Sequence, residues 1–214
     1  MKRLALAASL FAATLLANAN QFDAHTMWLA HMKLSSHFDY RANVDTYMKT
    51  QRRDVWRAYR NDEFELEAKR AETIEIMKER VDALDLHQDF EINTSVELGS
   101  YDFDAQEYPL KGPGRNSYYT CSMQRLFVMP PSFLYCRVFF TNPEILGPLK
   151  MAKEEAKAFL SSRKDRYGQV ERDLPARIRF RVHSTHNDPG EFMATITSID
   201  VFADRDHARK LASF

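Results

Sequence analysis

His183, His186 and Asp188 lie close together in the chain, and two imidazoles with a carboxylate form a legitimate zinc set. Their spacing is awkward for that purpose. Residues three apart on an extended strand point to opposite faces, so His183 and His186 converge only if the strand ends between them. A pair of solvated histidines beside a turn is the simpler account. Just upstream, Arg177, Arg179, Arg181 and His183 recur at every second position. That period puts all four side chains on one face of a strand, a positive stripe suited to a phosphate, a lipid headgroup or a polyanionic sugar. If residues 187–190 form a four-residue turn, Asp200 falls opposite Arg177 and Ser198 opposite Arg179. Cross-strand pairing then neutralises part of the stripe.

Three further sets invite a chemical reading. Lys49, Arg52, Arg53, Arg57 and Arg60 follow one helix flank and precede Asp62, Glu63, Glu65 and Glu67, either a docking strip or the wet side of an amphipathic helix. Tyr101, Phe103, Tyr108, Tyr118 and Tyr119 surround the Gly-Pro-Gly of residues 112–114, where aromatics could line a sugar or peptide site or simply pack. Cys121 and Cys136 could close a 16-residue loop as a disulfide, or lie buried as two thiols. Against the bond, a hairpin turning at Pro130-Pro131 would set Cys136 opposite Arg125. No Gly-x-Ser-x-Gly, His-Glu-x-x-His or Cys-x-x-Cys occurs, and six glycines in the whole chain include no phosphate-cradling loop. No cofactor is expected.

The elements that must position these residues are legible in the periodicity. Met27, Trp28, Leu29 and Met32 suggest a short docking helix, or, if left exposed, the apolar patch of a structural subunit. Asn43 reads as the N-cap of a helix whose stripe runs through Val44, Tyr47, Met48, Val55, Trp56 and Tyr59. A second stripe from 63 to 85 makes this a helical hairpin or one long kinked helix. From Phe90 to Leu98 the period switches to two, the mark of a half-buried strand, and residues 101–104 continue as an extended piece. Residues 119–129 and 133–141 read as strands about Pro130-Pro131, with Phe127, Val128, Phe133, Leu134, Val138, Phe139 and Phe140 at the centre of the core. Asn142-Pro143 starts a helix reaching Arg163, restarted near Gly147-Pro148. The last unit is a hairpin over 177–183 and 192–203, with a bulge near Ser198 where the apolar register slips, followed by a tail helix at 206–211. The fold class is therefore α+β: the helical hairpin packed on a largely antiparallel sheet, with one further helix between strand pairs.

The opening residues have the form of a secretory leader. Lys2 and Arg3 precede an apolar run from Leu4 to Leu16, and Ala17-Asn18-Ala19 offers small residues for cleavage after Ala19. That run is short for a permanent anchor, so residues 20–214 are expected as a single domain with no transmembrane anchor after cleavage, periplasmic or secreted. Without Lys2 and Arg3 the chain keeps 28 basic against 30 acidic side chains, a balance that argues against nucleic-acid binding.

Tyr47, the run Asn61-Asp62-Glu63-Phe64, the run Tyr101-Asp102-Phe103 and the run Tyr108-Pro109-Leu110 together resemble an uncharacterised family of small secreted bacterial proteins. The resemblance implies no activity and assigns no site residue. The residues themselves point to a non-enzymatic binding protein of the envelope or secretome. Its partner would be a protein or an anionic envelope component met through the Arg177–His183 face. The alternative is a hydrolase of a cell-wall or extracellular substrate built on His183, His186 and Asp188.

Overall fold

The structure is a computed structural model, and it describes residues 19–114, 117–122, 133, 136–186 and 188–214. Residues 1–18 of the expected leader, the expected strand over 123–129, the expected turn at Pro130-Pro131, Leu134 and Asn187 lie outside the described residues. The fold is α+β. Strand β1 (Asn20–Gln21) leads into helix α1 (Ala24–Leu34), then α2 (Tyr40–Gln51), α3 (Arg53–Tyr59) and α4 (Glu63–Ala83). There follow β2 (Phe90–Leu98), β3 (Glu107–Tyr108), β4 (Leu110–Lys111), β5 (Tyr118–Thr120) and β6 (Arg137–Phe140). A single 3-10 turn (Pro143–Ile145), β7 (Leu149–Lys150) and α5 (Lys153–Ser162) precede β8 (Asp173–Thr185), β9 (Glu191–Phe202) and β10 (Lys210–Ser213).

Aspartates start α1, α2 and α4. The side chains of Asp23, Asp39 and Asp62 accept hydrogen bonds from the backbone N–H groups of Thr26, Ala42 and Glu65, satisfying donors that have no partner inside a first turn. The N-cap expected at Asn43 is thus four residues earlier; Asn43 lies inside α2 and donates from its amide to the Asp39 carbonyl. The helical hairpin is present, with its first arm broken at Arg52 into α2 and α3. Helix α1 packs against both β8 and α4, and α2 and α3 pack on α4. Met27, Trp28 and Leu29 are buried between these layers, so the exposed patch that would mark a structural subunit is not formed. Burying an indole and its neighbours this completely contributes several kcal/mol, which outweighs the weak amphipathicity of α1.

The main sheet runs β1-β2-β8-β9-β6-β5, with β4 on β2 and β10 on β9. It is largely antiparallel; β1 on β2 and β6 on β9 are the parallel pairs. Alternation fixes its faces. Phe90, Val96, Leu174, Ala176, Ile178, Phe180, Phe192, Ala194 and Ile196 point inward and are buried, while the arginine row lies on the other face. The register of β8 on β9 sets Arg177 against Asp200 and Arg179 against Ser198, as the turn length required. It then shifts between Arg179 and Phe180, opposite Ser198 and Ile196, which is the expected bulge.

Elsewhere the sequence expectations need correction. Residues 103–106 form a turn closed by the Asp102–Glu107 bridge, with Gln106 at φ 52°, where an extended piece over 101–104 is expected. Only Pro143–Ile145 of the helix expected from Asn142 is helical before the chain extends into β7, which pairs with β3, and α5 then begins at Lys153. The expected tail helix is β10, because Asp204 caps the backbone of Ala208 and Arg209 and turns the chain back onto β9. The register of β5 on β6 pairs Thr120 with Arg137, and the Cys121 N–H donates to the Cys136 carbonyl at 3.1 Å. Cys136 therefore lies opposite Cys121, not Arg125, and the two are joined as a disulfide with Cα atoms 5.6 Å apart. Beyond it, Ser122 donates to the Phe22 carbonyl at 3.2 Å and accepts from Ala24 at 3.0 Å, tying the β5 end of the sheet to the β1 end.

Candidate functional site

Strand alternation delivers Arg177, Arg179 and Arg181 to one face, where their side chains are 29%, 36% and 54% exposed. Each meets a carboxylate. β2 supplies Glu91, whose two oxygens lie 3.2 Å from Arg177 Nε and 3.3 Å from Arg179 Nε. Asp89 accepts from Arg181 Nε at 2.8 Å and from Thr197 Oγ1 at 3.0 Å. β9 supplies Asp200, 3.7 Å from Arg179 and bonded to Lys210 and Ser213 of β10. Burial works to raise the Asp200 carboxyl, but the bonds from Ser213 and Lys210 and the charges of Lys210 and Arg179 win, holding it below its ordinary value. The Arg177 guanidinium also lies over the Phe202 ring and comes within 3.3 Å of His207 Nδ1. The stripe is thus a mixed-charge lattice rather than a bare positive row.

Beside it lies an open groove of about 1240 Å³, lined by Asn20, Gln21, Asp23, Asp89, Glu91, Asn93, Thr120, Ser122, Arg177 and Arg179 together with Ala19, Phe22 and Ile92. A second hollow, of about 560 Å³, shares Asn93 and continues through Thr94, Ser95, Glu171, Asp173, Pro175, Arg205 and His207. Both mix polar and apolar lining, and between them they border β2 from Glu91 to Ser95.

The other candidate residues are dispersed. His183 is exposed at a second register shift of β8, between Val182 and Ser184, its ring 3.3 Å from Ser184 Oγ. His186 lies past the end of β8 with its ring against Phe139, and Asp188 is exposed in the following turn. Neither histidine lines the large groove. Among the described residues no group of three or more His, Cys, Asp or Glu side chains could hold a metal ion, these three included. The aromatic set also divides: Tyr101 meets Phe103 and Tyr108 edge to face, whereas Tyr118 packs on Phe139 and Tyr119 on Phe140. The basic helix strip is answered locally, with Arg52 on Glu72 and Thr73, Arg57 near Asp54, and Lys49 over the Trp56 ring.

Sequence reasoning missed Asn20, Asp89, Glu91, Asn93 and His207. Asp200 was found because a hairpin register follows from its turn. Glu91 reaches Arg177 and Arg179 only through the pairing of β2 with β8, strands some eighty residues apart whose adjacency has no local signal.

Among the described residues no helix is long and apolar enough to cross a membrane. Comparison with known proteins finds no match among curated proteins and none among solved structures. One family model, described as Domain of unknown function (DUF4852), matches residues 39–162, from the start of α2 to the end of α5. That stretch contains β2 with Asp89, Glu91 and Asn93 but not the arginines of β8. It covers more than half of the chain, which therefore belongs to this family of unknown function.

Proposed function

We propose that the protein works outside the cytoplasm as a non-enzymatic binding protein of the envelope or secretome, and that its partner is another protein contacted through the Arg177–Arg179–Arg181 face. The observation that carries this reading is the pairing of all three arginines. In the groove, Arg177 and Arg179 face Asp23, Asp89 and Glu91, so a simple anion would have to displace or outbid carboxylates already in place. A protein surface carrying both signs can complement such a lattice without stripping it, and the fixed charges would give specificity and faster association. The leader-like opening residues and the Cys121–Cys136 disulfide support an oxidising compartment.

The test is site-specific photocrosslinking in intact cells from Gln21 or Thr120, both in the groove, with exposed Tyr167 as the control position. A discrete crosslinked protein from the groove positions alone, weakened at least tenfold by Arg181→Glu, is expected. Crosslinks that ignore Arg181→Glu, or that arise equally from Tyr167, refute the reading. A stabilisation by inorganic phosphate or a sulfated sugar that is lost in Arg181→Glu would move the assignment to an anionic envelope component instead.

A further inference from the structure

The large groove and its smaller neighbour meet at Asn93, where the edge of β2 is interrupted. The backbone groups of β2 divide by parity. The Leu98 N–H bonds to the Arg172 carbonyl on the β8 side, so the even-numbered residues of β2 serve β8. The odd-numbered residues point to the other edge. There the Asp89 carbonyl and Glu91 are used by β1, Glu97 by β4, and the Gly99 N–H by Pro109. Asn93 and Ser95 lie between these two short strands, and no described residue pairs with their backbone groups. Two donors and two acceptors are left at strand spacing, with both side chains exposed.

Nothing in the local sequence blunts this edge. Natural edges are protected by lysine, proline, bulges or covering segments, yet Ile92 to Val96 contains no charge, no proline and no irregularity in its register on β8. The flanking strands leave room for about three or four extended residues at about 3.4 Å each. The surroundings also set the charge of an occupant. In the larger groove Asp89 and Glu91 are answered by Arg181, Arg177 and Arg179, and in the smaller Glu171 is answered by Arg163 and Arg205, which leaves Asp23 in the one and Asp173 in the other without an ion-pair partner among the described residues. Both favour a cationic side chain.

We infer that Asn93 and Ser95 form a strand-addition site, which takes a short extended segment of a partner protein carrying a lysine or arginine beside the carboxylates of the groove. This deepens the binding reading above and rests on it, but engages different atoms: backbone amides of β2 rather than the arginine side chains of β8.

The probe is a displayed library of random heptapeptides selected on the full chain, with the strongest isolates synthesised and studied by amide hydrogen exchange. Selected peptides enriched in Lys or Arg, which slow exchange at Asn93 and Ser95 at least tenfold and leave Glu91 and Glu97 unchanged, are expected. Ser95→Pro removes one outward N–H while sparing the bonds to β8, and should weaken those peptides at least tenfold. Failure to select any peptide overturns the site, as does full protection of Asn93 and Ser95 in the free protein. Peptides that bind through Arg181 but leave both amides exchanging freely overturn strand addition while the arginine-face reading stands. Protection of both amides that is indifferent to Arg181→Glu keeps strand addition and removes the arginines from the contact.

Discussion

Replacing Cys121 and Cys136 together with serine tests how the two ends of the sheet are held. The bond closes a loop with a sequence separation of 15, and the chain-entropy relation assigns a loop of that size about 3 kcal/mol at 25 °C. For a chain of about 200 residues each kcal/mol moves the melting temperature by about 2–4 °C, so a fall of about 6–12 °C is expected. The loss should also be unevenly distributed. Strand β5 holds β6 through three residue pairs, and the next residue after the cysteine is Ser122, whose two backbone bonds fasten Phe22 and Ala24. Urea denaturation gives the free energy, and hydrogen exchange gives its location. The amides of Ser122 and Ala24 should lose protection before those of Ile178 and Ile199 in the centre of the sheet. The reasoning is refuted if the double variant loses less than about 1 kcal/mol, or if protection falls uniformly across β8 and β9. Reduction of the wild-type protein should reproduce the variant, provided the reductant reaches a pair that is almost wholly buried.

Other perturbations follow from the same geometry. Burial lowers the His31 imidazole below its ordinary value; it also lowers His25, where Asp23 opposes the shift and Arg80 reinforces it. The unfolded chain therefore binds these protons more readily, and stability present above about pH 6.5 should be lost as the pH falls through the folded values. Urea midpoints measured between pH 8 and pH 5 check the slope, and His31→Gln should flatten it. Asp200→Ala takes the buried carboxylate from the partly exposed Lys210 and Arg179 and from Ser213 and should cost about 1.5–3 kcal/mol, read by thermal unfolding; Asp200→Asn should recover part of that by keeping the Ser213 bond. At Gly99 a methyl group would come within 2.7 Å of Pro109 Cγ and 2.9 Å of its carbonyl oxygen, so Gly99→Ala should destabilise by about 1–3 kcal/mol in the same assay. Trp28→Ala, in the layer between sheet and helices, should cost about 3–5 kcal/mol.

The elements written in local periodicity were the ones the sequence revealed. The 63–85 stripe, the alternation from Phe90 to Leu98 and the terminal hairpin with its bulge all depend on contacts within an element or across a short turn, and each appears within a few residues of its expected place. The misses share a different cause. Asn43 has the residue type of a cap, but Asp39 occupies the geometric position. Residues 206–211 have helical composition, but the side chain of Asp204 bonds forward and bends the chain onto β9. The cysteines stayed open between a disulfide and two thiols because a turn at Pro130-Pro131 would set Cys136 opposite Arg125, whereas the register of β5 on β6 sets it opposite Cys121. At the candidate site the arginine row and Asp200 were readable from one hairpin. The carboxylates of β2, which turn that row from an anion trap into a neutralised lattice, belong to a strand made long before it and needed the fold to be known.

The order of strands in the sheet also bears on how quickly the chain can assemble. β9 joins the two halves, pairing with β8 on one side and with β6 on the other, and it is the penultimate strand to be synthesised. β2 must wait for β8, and β6 for β9, across intervals of roughly fifty to ninety residues. Long closures of this kind slow folding because their entropy is lost before any contact repays it. Only the β8–β9 hairpin can form the centre of the sheet from neighbouring sequence. Mutations that weaken its turn or its bulge should therefore slow folding, whereas those in β1 or β5 should mainly speed unfolding.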